Sequence, residues 1–281
     1  MAQASCLCGD VAWSTEGALE FTSHCHCSRC RKTHGSAFAT YTAAPVESFR
    51  LERGRESIVR YESSPGFFRT FCGRCGAVTP GDPVDGRTFL PLGAFDDDPG
   101  TRPLAHIFVA SKAPWHEIHD TLPRFDAYPE GFGAPVVPDR APVDPPGRPR
   151  GSCLCGGVTY VVEGELLRAW NCHCSRCRKA RGAAYASNLF TVAGGLRFTR
   201  GEELLLSYKI PEALRFTHVF CRVCGSTMPR IDPSRDLAVI PMGSLDDDPG
   251  VRPSRHIFAA SRAPWDEITD ELPQDAEYPS S

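Results

Sequence analysis

The chain has 281 residues, 41% apolar and 23% charged, enough to bury about two ordinary cores without depending on cross-links. Its formal net charge of −3 excludes the basic footprint of a general nucleic-acid binder. No run of about 18 apolar residues is present, and the opening MAQASCLCGD lacks the basic and apolar regions of a secretory signal, so a cytoplasmic protein without a membrane span is expected.

Taken along the chain, short strands dominate. Residues 10–15 alternate as a half-buried strand does, and 36–42, 57–62 and 88–92 are short β-rich runs. The pattern returns at 157–162 and 237–242. Glycine and proline, 25 of each, punctuate at intervals too short for long helices. One short helix per half is expected to start near Ser28 and near Ser175. The class is therefore all-β, with short helical turns.

The chain repeats itself at an offset of 147 to 150 residues. Ser5-Cys6-Leu7-Cys8-Gly9 returns as Ser152-Cys153-Leu154-Cys155-Gly156, and CHCSRCRK at 25–32 returns unchanged at 172–179. Phe71-Cys72-Gly73-Arg74-Cys75-Gly76 returns as Phe220-Cys221-Arg222-Val223-Cys224-Gly225. So long a period marks a duplicated domain rather than a solenoid. Between the copies, 129–149 holds seven of the prolines and reads as a semi-extended linker. The expected domains are 1–128 and 150–281, each folding as a separate unit.

Fourteen cysteines in a reducing compartment point to metal or redox chemistry before disulfides. Seven per copy is odd, so closed disulfides would strand one thiol, whereas metal sites divide seven as four plus three. Cys6, Cys8, Cys72 and Cys75 supply four corners of a closed tetrahedron, the pattern of structural zinc; Cys153, Cys155, Cys221 and Cys224 match them. Cys25, Cys27 and Cys30, matched by Cys172, Cys174 and Cys177, converge from one turn and leave a fourth position open, the pattern of catalytic zinc. His26 and His173 lie between ligands and are alternative fourth donors, although the middle side chain of such a triplet usually points away from its neighbours. An iron–sulfur centre lacks its ferredoxin-type run here. The Asp96-Asp97-Asp98 run reads as a solvated turn, His106 and His256 as satisfied structural histidines, and Trp115 and Trp265 as packing residues.

The blocks CLCGDV, CHCSRCRK, FCGRCG and HIFVASKAPWHEI, with CLCGGV, CHCSRCRK, FCRVCG and HIFAASRAPWDEI in the second copy, resemble the glutathione-dependent formaldehyde-activating family, also called centromere-protein-V-like. The resemblance covers nearly all of both copies and identifies a tandem pair. It implies an Mss4-like β-tent stapled by structural zinc, and a second zinc near a thiol-binding position, hence up to four zinc ions per chain. It also implies an activity, a carbon–sulfur lyase chemistry in which glutathione or another low-molecular-weight thiol adds to formaldehyde or is released from a thiol conjugate. Arg31, Lys32 and Arg69, with Arg178 and Lys179, are the cations expected to orient the carboxylates of such a thiol. One departure stands out: the family often has an arginine before the third block, and Arg69 fits, but His218 occupies that place in the second copy. His24 and His34 likewise face Asn171 and Arg181. The rival reading is a zinc-stapled protein-binding module without catalysis. Against it, a scaffold needs only the four-cysteine zinc, yet both copies keep the three-cysteine cluster.

Overall fold

The computed structural model describes residues 1–130 and 147–279, so most of the expected linker at 129–149 lies outside the described residues. The first half runs β1 (Ala2–Ser5), β2 (Ala12–Thr15), β3 (Glu20–Cys25), α1 (Ser28–His34), β4 (Ala39–Pro45), β5 (Phe49–Arg53), β6 (Ile58–Ser64), β7 (Phe67–Cys72), β8 (Arg87–Pro91) and β9 (His106–Ile107). The second runs β10 (Arg150–Ser152), β11 (Thr159–Val162), β12 (Arg168–Cys172), α2 (Ser175–Arg181), β13 (Ala186–Thr191) and β14 (Leu196–Arg200). It ends with β15 (Leu205–Lys209), β16 (Thr217–Cys221), β17 (Arg230–Asp232), β18 (Leu237–Pro241) and β19 (His256–Ile257). The protein is two tandem all-β domains with one short helix each, as expected.

Each half is built from the same three pieces. The first contains the sheet β1-β2-β5, the sheet β8-β4-β3-β9 and the hairpin β6-β7. The second contains β10-β11-β14, β17-β18-β13-β12-β19 and β15-β16. Within the four-stranded sheet, β9 lies parallel to β3, with His24 opposite His106 and Cys25 opposite Ile107. That pairing brings distant chain to the three-cysteine turn. The strands expected at 10–15, 36–42, 57–62, 88–92, 157–162 and 237–242 correspond to β2, β4, β6, β8, β11 and β18. Strands such as β5 were not expected, because its sequence FRLER shows solvent most of its side chains and carries little apolar alternation.

Both helices last seven residues for a local reason. Cys27 and Cys174 act as N-caps whose sulfurs accept the backbone N–H of Cys30 and Cys177, each at 3.4 Å. Gly35 and Gly182 stop them with φ of 61° and 59°.

The structure adds to the expectation of separate units an interface between the halves that the sequence did not show. One continuous apolar core runs from Trp13 and Phe95 to Tyr160 and Leu245. Several contacts across it occur twice, as in an isologous dimer. Helix α2 lies on the turn at 92–94 and α1 on the turn at 242–244. A Cβ on Gly93 would fall 2.3 Å from the Ala183 nitrogen, and one on Gly243 2.5 Å from the Arg31 carbonyl oxygen, so only glycine allows this approach. Phe71 and Phe220 meet edge to face at 6.2 Å between centroids. Each ring covers the glycine of the other half's Cys-x-x-Cys-Gly turn, Phe220 over Gly76 and Phe71 over Gly225. Lys32 reaches Asp246 at 2.6 Å and the carbonyl of Ser152 at 2.7 Å, and Lys179 reaches Asp96 and the Ser5 hydroxyl in return. Among the described residues no helix is long and apolar enough to cross a membrane.

Candidate metal centres

The four-cysteine clusters assemble where two turns meet. Cys6 and Cys8 follow β1, and Cys72 and Cys75 flank the turn that ends β7. Gly76 and Gly225 take φ of 73° and 70°, the conformation the Cys-x-x-Cys-Gly spacing predicts. All fourteen thiols are free. The ligand atoms of Cys6, Cys8, Cys72 and Cys75 all lie within 4.8 Å of one another, as do those of Cys153, Cys155, Cys221 and Cys224.

A tetrahedral zinc with bonds of about 2.3 Å needs sulfurs about 3.8 Å apart. The separations found are 3.5 and 3.8 Å for Cys6–Cys8 and Cys8–Cys72, and 3.3 and 3.9 Å for Cys153–Cys155 and Cys155–Cys221. Backbone N–H groups also point at the sulfurs, from Val11 to Cys6 at 3.3 Å and from Val158 to Cys153 at 3.2 Å. The donor set and its spacing fit zinc.

The three-cysteine clusters sit at the mouth of each helix. Cys25 ends β3, Cys27 caps α1 and Cys30 lies in its first turn, with Cys25 and Cys27 sulfurs 3.6 Å apart. Cys172, Cys174 and Cys177 repeat this on β12 and α2. The spacing again suits zinc, with three corners filled. His26 and His173 are not the fourth donors. Their rings turn away to the parallel strand, where Nε2–H of His26 donates to Nδ1 of His106 at 2.8 Å and that of His173 to His256 at 2.7 Å. His106 and His256 then donate their own Nε2–H to Asp120 and Asp270, at about 3 Å. The carboxylates thereby fix the tautomers of both relays. Asp120 and Asp270 were not foreseen, because each enters from a loop 14 residues beyond its histidine.

The expected cations divide into three groups. Arg69, on β7, places a guanidinium nitrogen 3.6 Å from the Cys30 sulfur. Burial works against its charge, but the negative charge at Cys30 and Cys27 prevails and holds it above its ordinary value. Arg31 lies beside the cluster with Nε–H toward the His26 carbonyl at 3.4 Å, while Arg178 is buried and held below its ordinary value chiefly by that burial. Lys32 and Lys179 serve the interface between halves, as described above.

The second cluster is furnished differently. Position 69 becomes His218, whose Nδ1–H donates to the carbonyl of Cys75 in the first half at 2.8 Å. Position 34 becomes Arg181, 7% exposed, bonded to the Gly35 carbonyl of the first half and, at 2.6 Å, to Asn188. Burial lowers the Arg181 value, opposed by charge at Cys177, Cys172 and Cys174. In the first half, His34 donates Nδ1–H to the Arg181 carbonyl and accepts at Nε2 from the Tyr41 hydroxyl at 2.9 Å. Burial, then the charge of Arg69, pushes His34 down to about 3, and burial takes His218 to about 4, so both are neutral imidazoles at pH 7. Tyr41 and Asn188 carry no motif; only the alignment of the chain with itself could have marked them.

Comparison with known proteins bears on both halves. The family model described as glutathione-dependent formaldehyde-activating enzyme matches residues 1–111 and 148–261. A search of curated proteins finds no match. Among solved structures, a Rhodobacter sphaeroides protein determined as a structural-genomics target is 34% identical, over 34% of this chain and 86% of its own, with a TM-score of 0.28.

Proposed function

The chain belongs to the glutathione-dependent formaldehyde-activating enzyme family, and from that membership we propose that it joins a low-molecular-weight thiol to a small aldehyde, or releases the thiol from such an adduct. In the forward direction the sulfur bonds to the carbonyl carbon and the thiol proton ends on the former carbonyl oxygen, giving a hydroxymethyl thioether from formaldehyde. The observation that carries the reading is the three-thiol cluster: three sulfurs at zinc spacing, on a turn already anchored by a helix cap, with the intervening histidine turned away.

Cys25, Cys27 and Cys30, and Cys172, Cys174 and Cys177, would hold zinc, which when bound offers an open position to a sulfur or oxygen and favours the ionised thiol. The protein's own groups do the rest. The helix caps fix Cys27 and Cys174, and the relays from Asp120 and Asp270 hold the middle histidines out of the ligand set. Arg69 retains further N–H donors with which to orient a carboxylate on the thiol. The closed four-cysteine clusters serve as staples for the fold.

The test is adduct formation from formaldehyde with a panel of thiols, glutathione among them, using zinc-loaded protein, Cys27→Ser and Cys174→Ser. Acceleration for at least one thiol, reduced by one or both substitutions, supports the reading. Fully zinc-loaded protein that accelerates none of them, in either direction, leaves the binding-module reading in its place.

A further inference from the structure

We infer that histidine and arginine have been exchanged reciprocally between two positions, 34/69 in the first half and 181/218 in the second. The exchange keeps the guanidinium of this position pair at each three-cysteine cluster but moves it from the rim to the base, where the charges of Arg178 and Arg230 also act on Cys174 and Cys177. Arg181 is then a positioning residue for the second cluster, and that cluster is the one open to a bulky thiol conjugate. This rests on the reading that the three-cysteine clusters hold zinc.

The argument begins with spacing. Cys30 and His34 stand four apart on α1, and Cys177 and Arg181 four apart on α2, so the second residue of each pair lies on the helix face of the first. His34 and Arg181 are matched positions, and so are Arg69 and His218, three residues before the cysteine that ends β7 and β16. The first half has histidine on the helix and arginine on the strand. The second has them the other way round.

Each histidine does the same job from its exchanged place. His34 donates Nδ1–H to the Arg181 carbonyl and His218 donates Nδ1–H to the Cys75 carbonyl, both across the interface. Each takes its second bond at Nε2 from a hydroxyl, that of Tyr41 at 2.9 Å or Thr227 at 3.1 Å. The arginines do not behave alike. Arg69 is half-buried at the rim and lies against Cys30, and all three sulfur residues beneath it are buried, at 8, 9 and 5% exposure. Arg181 is tied to Gly35 and Asn188 and sits under its cluster. β16 carries no arginine, Arg230 of β17 lies within electrostatic range of Cys177, and Cys174 and Cys177 are only half-buried. Three thiolates and one zinc leave a formal charge of −1, which a nearby guanidinium offsets from either side. The rim placement, in contact with the Cys30 sulfur, leaves room for a small thiol but obstructs a bulky one.

The experiment uses full-length zinc-loaded protein, a bulky maleimide with peptide mapping of each cysteine, and zinc release to a chromophoric chelator. In the wild type, Cys174 and Cys177 should label severalfold faster than Cys25, Cys27 and Cys30; equal rates overturn the inference. Arg69→Gln should raise labelling of Cys30 severalfold and leave the second cluster unchanged; an unmoved Cys30 overturns the cap. Arg181→His should speed zinc loss from the second cluster, and adding His218→Arg should restore retention and slow labelling of Cys174 and Cys177. The added arginine cannot remake the bond to Gly35, so rescue separates a charge role from an interface role. Equal zinc loss in the single and double variants overturns the positioning role. If Arg181→His does not fold, the wild-type and Arg69→Gln labelling still decide. Turnover without the labelling asymmetry sinks this inference alone, whereas the asymmetry in a zinc-loaded but inert protein sinks the functional reading alone.

Discussion

Cys25, Cys27 and Cys30 share their eight-residue motif, letter for letter, with Cys172, Cys174 and Cys177. The first set is buried under Arg69, and two sulfurs of the second are half-buried above Arg181. Among the pairs that differ are His24 and Asn171, His34 and Arg181, Tyr41 and Asn188, Arg69 and His218, and His116 and Asp266. None is a metal-ligand candidate. Ligand geometry is thus held constant while access, charge and hydrogen bonding vary around it. The shared core makes this tolerable, since each half is supported by the other as well as by its own cysteines.

The largest effect should come from the four-cysteine staples. Cys72→Ser or Cys221→Ser removes one corner of a closed site whose zinc is worth roughly 10–16 kcal/mol in zinc-finger peptides, against a typical net stability of 5–15 kcal/mol. Because Phe71 and Phe220 pack over each other's zinc turn, the loss should spread to both halves. Hydrogen exchange resolved by half should show joint loss of protection. Retained protection in the unmutated half would restore the picture of separate units. Cys27→Ser and Cys174→Ser should keep the fold and lose only the weaker zinc.

The two interface lysines offer a sharper comparison. The Lys32 side chain is 4% exposed and bonded to Asp246 and Ser152, whereas that of Lys179 is 21% exposed and its partner Asp96 44%. Breaking a fully buried pair costs about 3–5 kcal/mol and an exposed one about 1 or less; with Asp246 26% exposed and Lys179 21% exposed both pairs fall between, the Lys32 pair nearer the first. Lys32→Met should therefore lower the urea midpoint far more than Lys179→Met. Equal losses would mean that the two faces of the interface are energetically alike.

Next come the close approaches at Gly93 and Gly243. Alanine at either should cost about 1–3 kcal/mol by overpacking. The matched Cβ clashes, 2.3 Å and 2.5 Å, predict similar costs on the two sides. Thermal unfolding of both variants measures this, and a large difference would show that one helix–turn contact yields where its twin does not.

How much of this was legible in the sequence follows from the range of each interaction. The fourteen candidate ligand cysteines announce themselves through local spacing, and so do the helix starts at Ser28 and Ser175, since cap and candidate ligand are the same residue. Gly76 and Gly225 were legible as turn glycines but not as seats for Phe220 and Phe71, which approach from another domain. Lys32 looked like a substrate cation because nothing local tells an interface lysine from a binding one. Arg181 was legible as a departure from His34, but its role was not, because that role depends on what position 218 does, a relation between sites that no single motif carries.

The smallest effect concerns acid. His34 is fully buried and neutral, with a folded value near 3 against an ordinary 6.5. Between those values the unfolded chain binds the proton more readily, so stability is fully present above about pH 6.5 and declines as pH falls toward 3. At pH 6 one such residue costs roughly 1 kcal/mol. Burial also takes His24 and His116 of the first half to about 3, where the second half has Asn171 and Asp266; His218, at about 4, stands against Arg69. The first half should accordingly supply most of the acid destabilisation of the shared core. His34→Gln keeps a donor for the Arg181 carbonyl but removes the titration, so its stability relative to wild type should rise by roughly 1 kcal/mol between pH 8 and pH 6, read from urea unfolding at each pH. A constant difference across that window would mean that the imidazole contributes through its hydrogen bonds alone, and that the acid response of the two halves is set elsewhere.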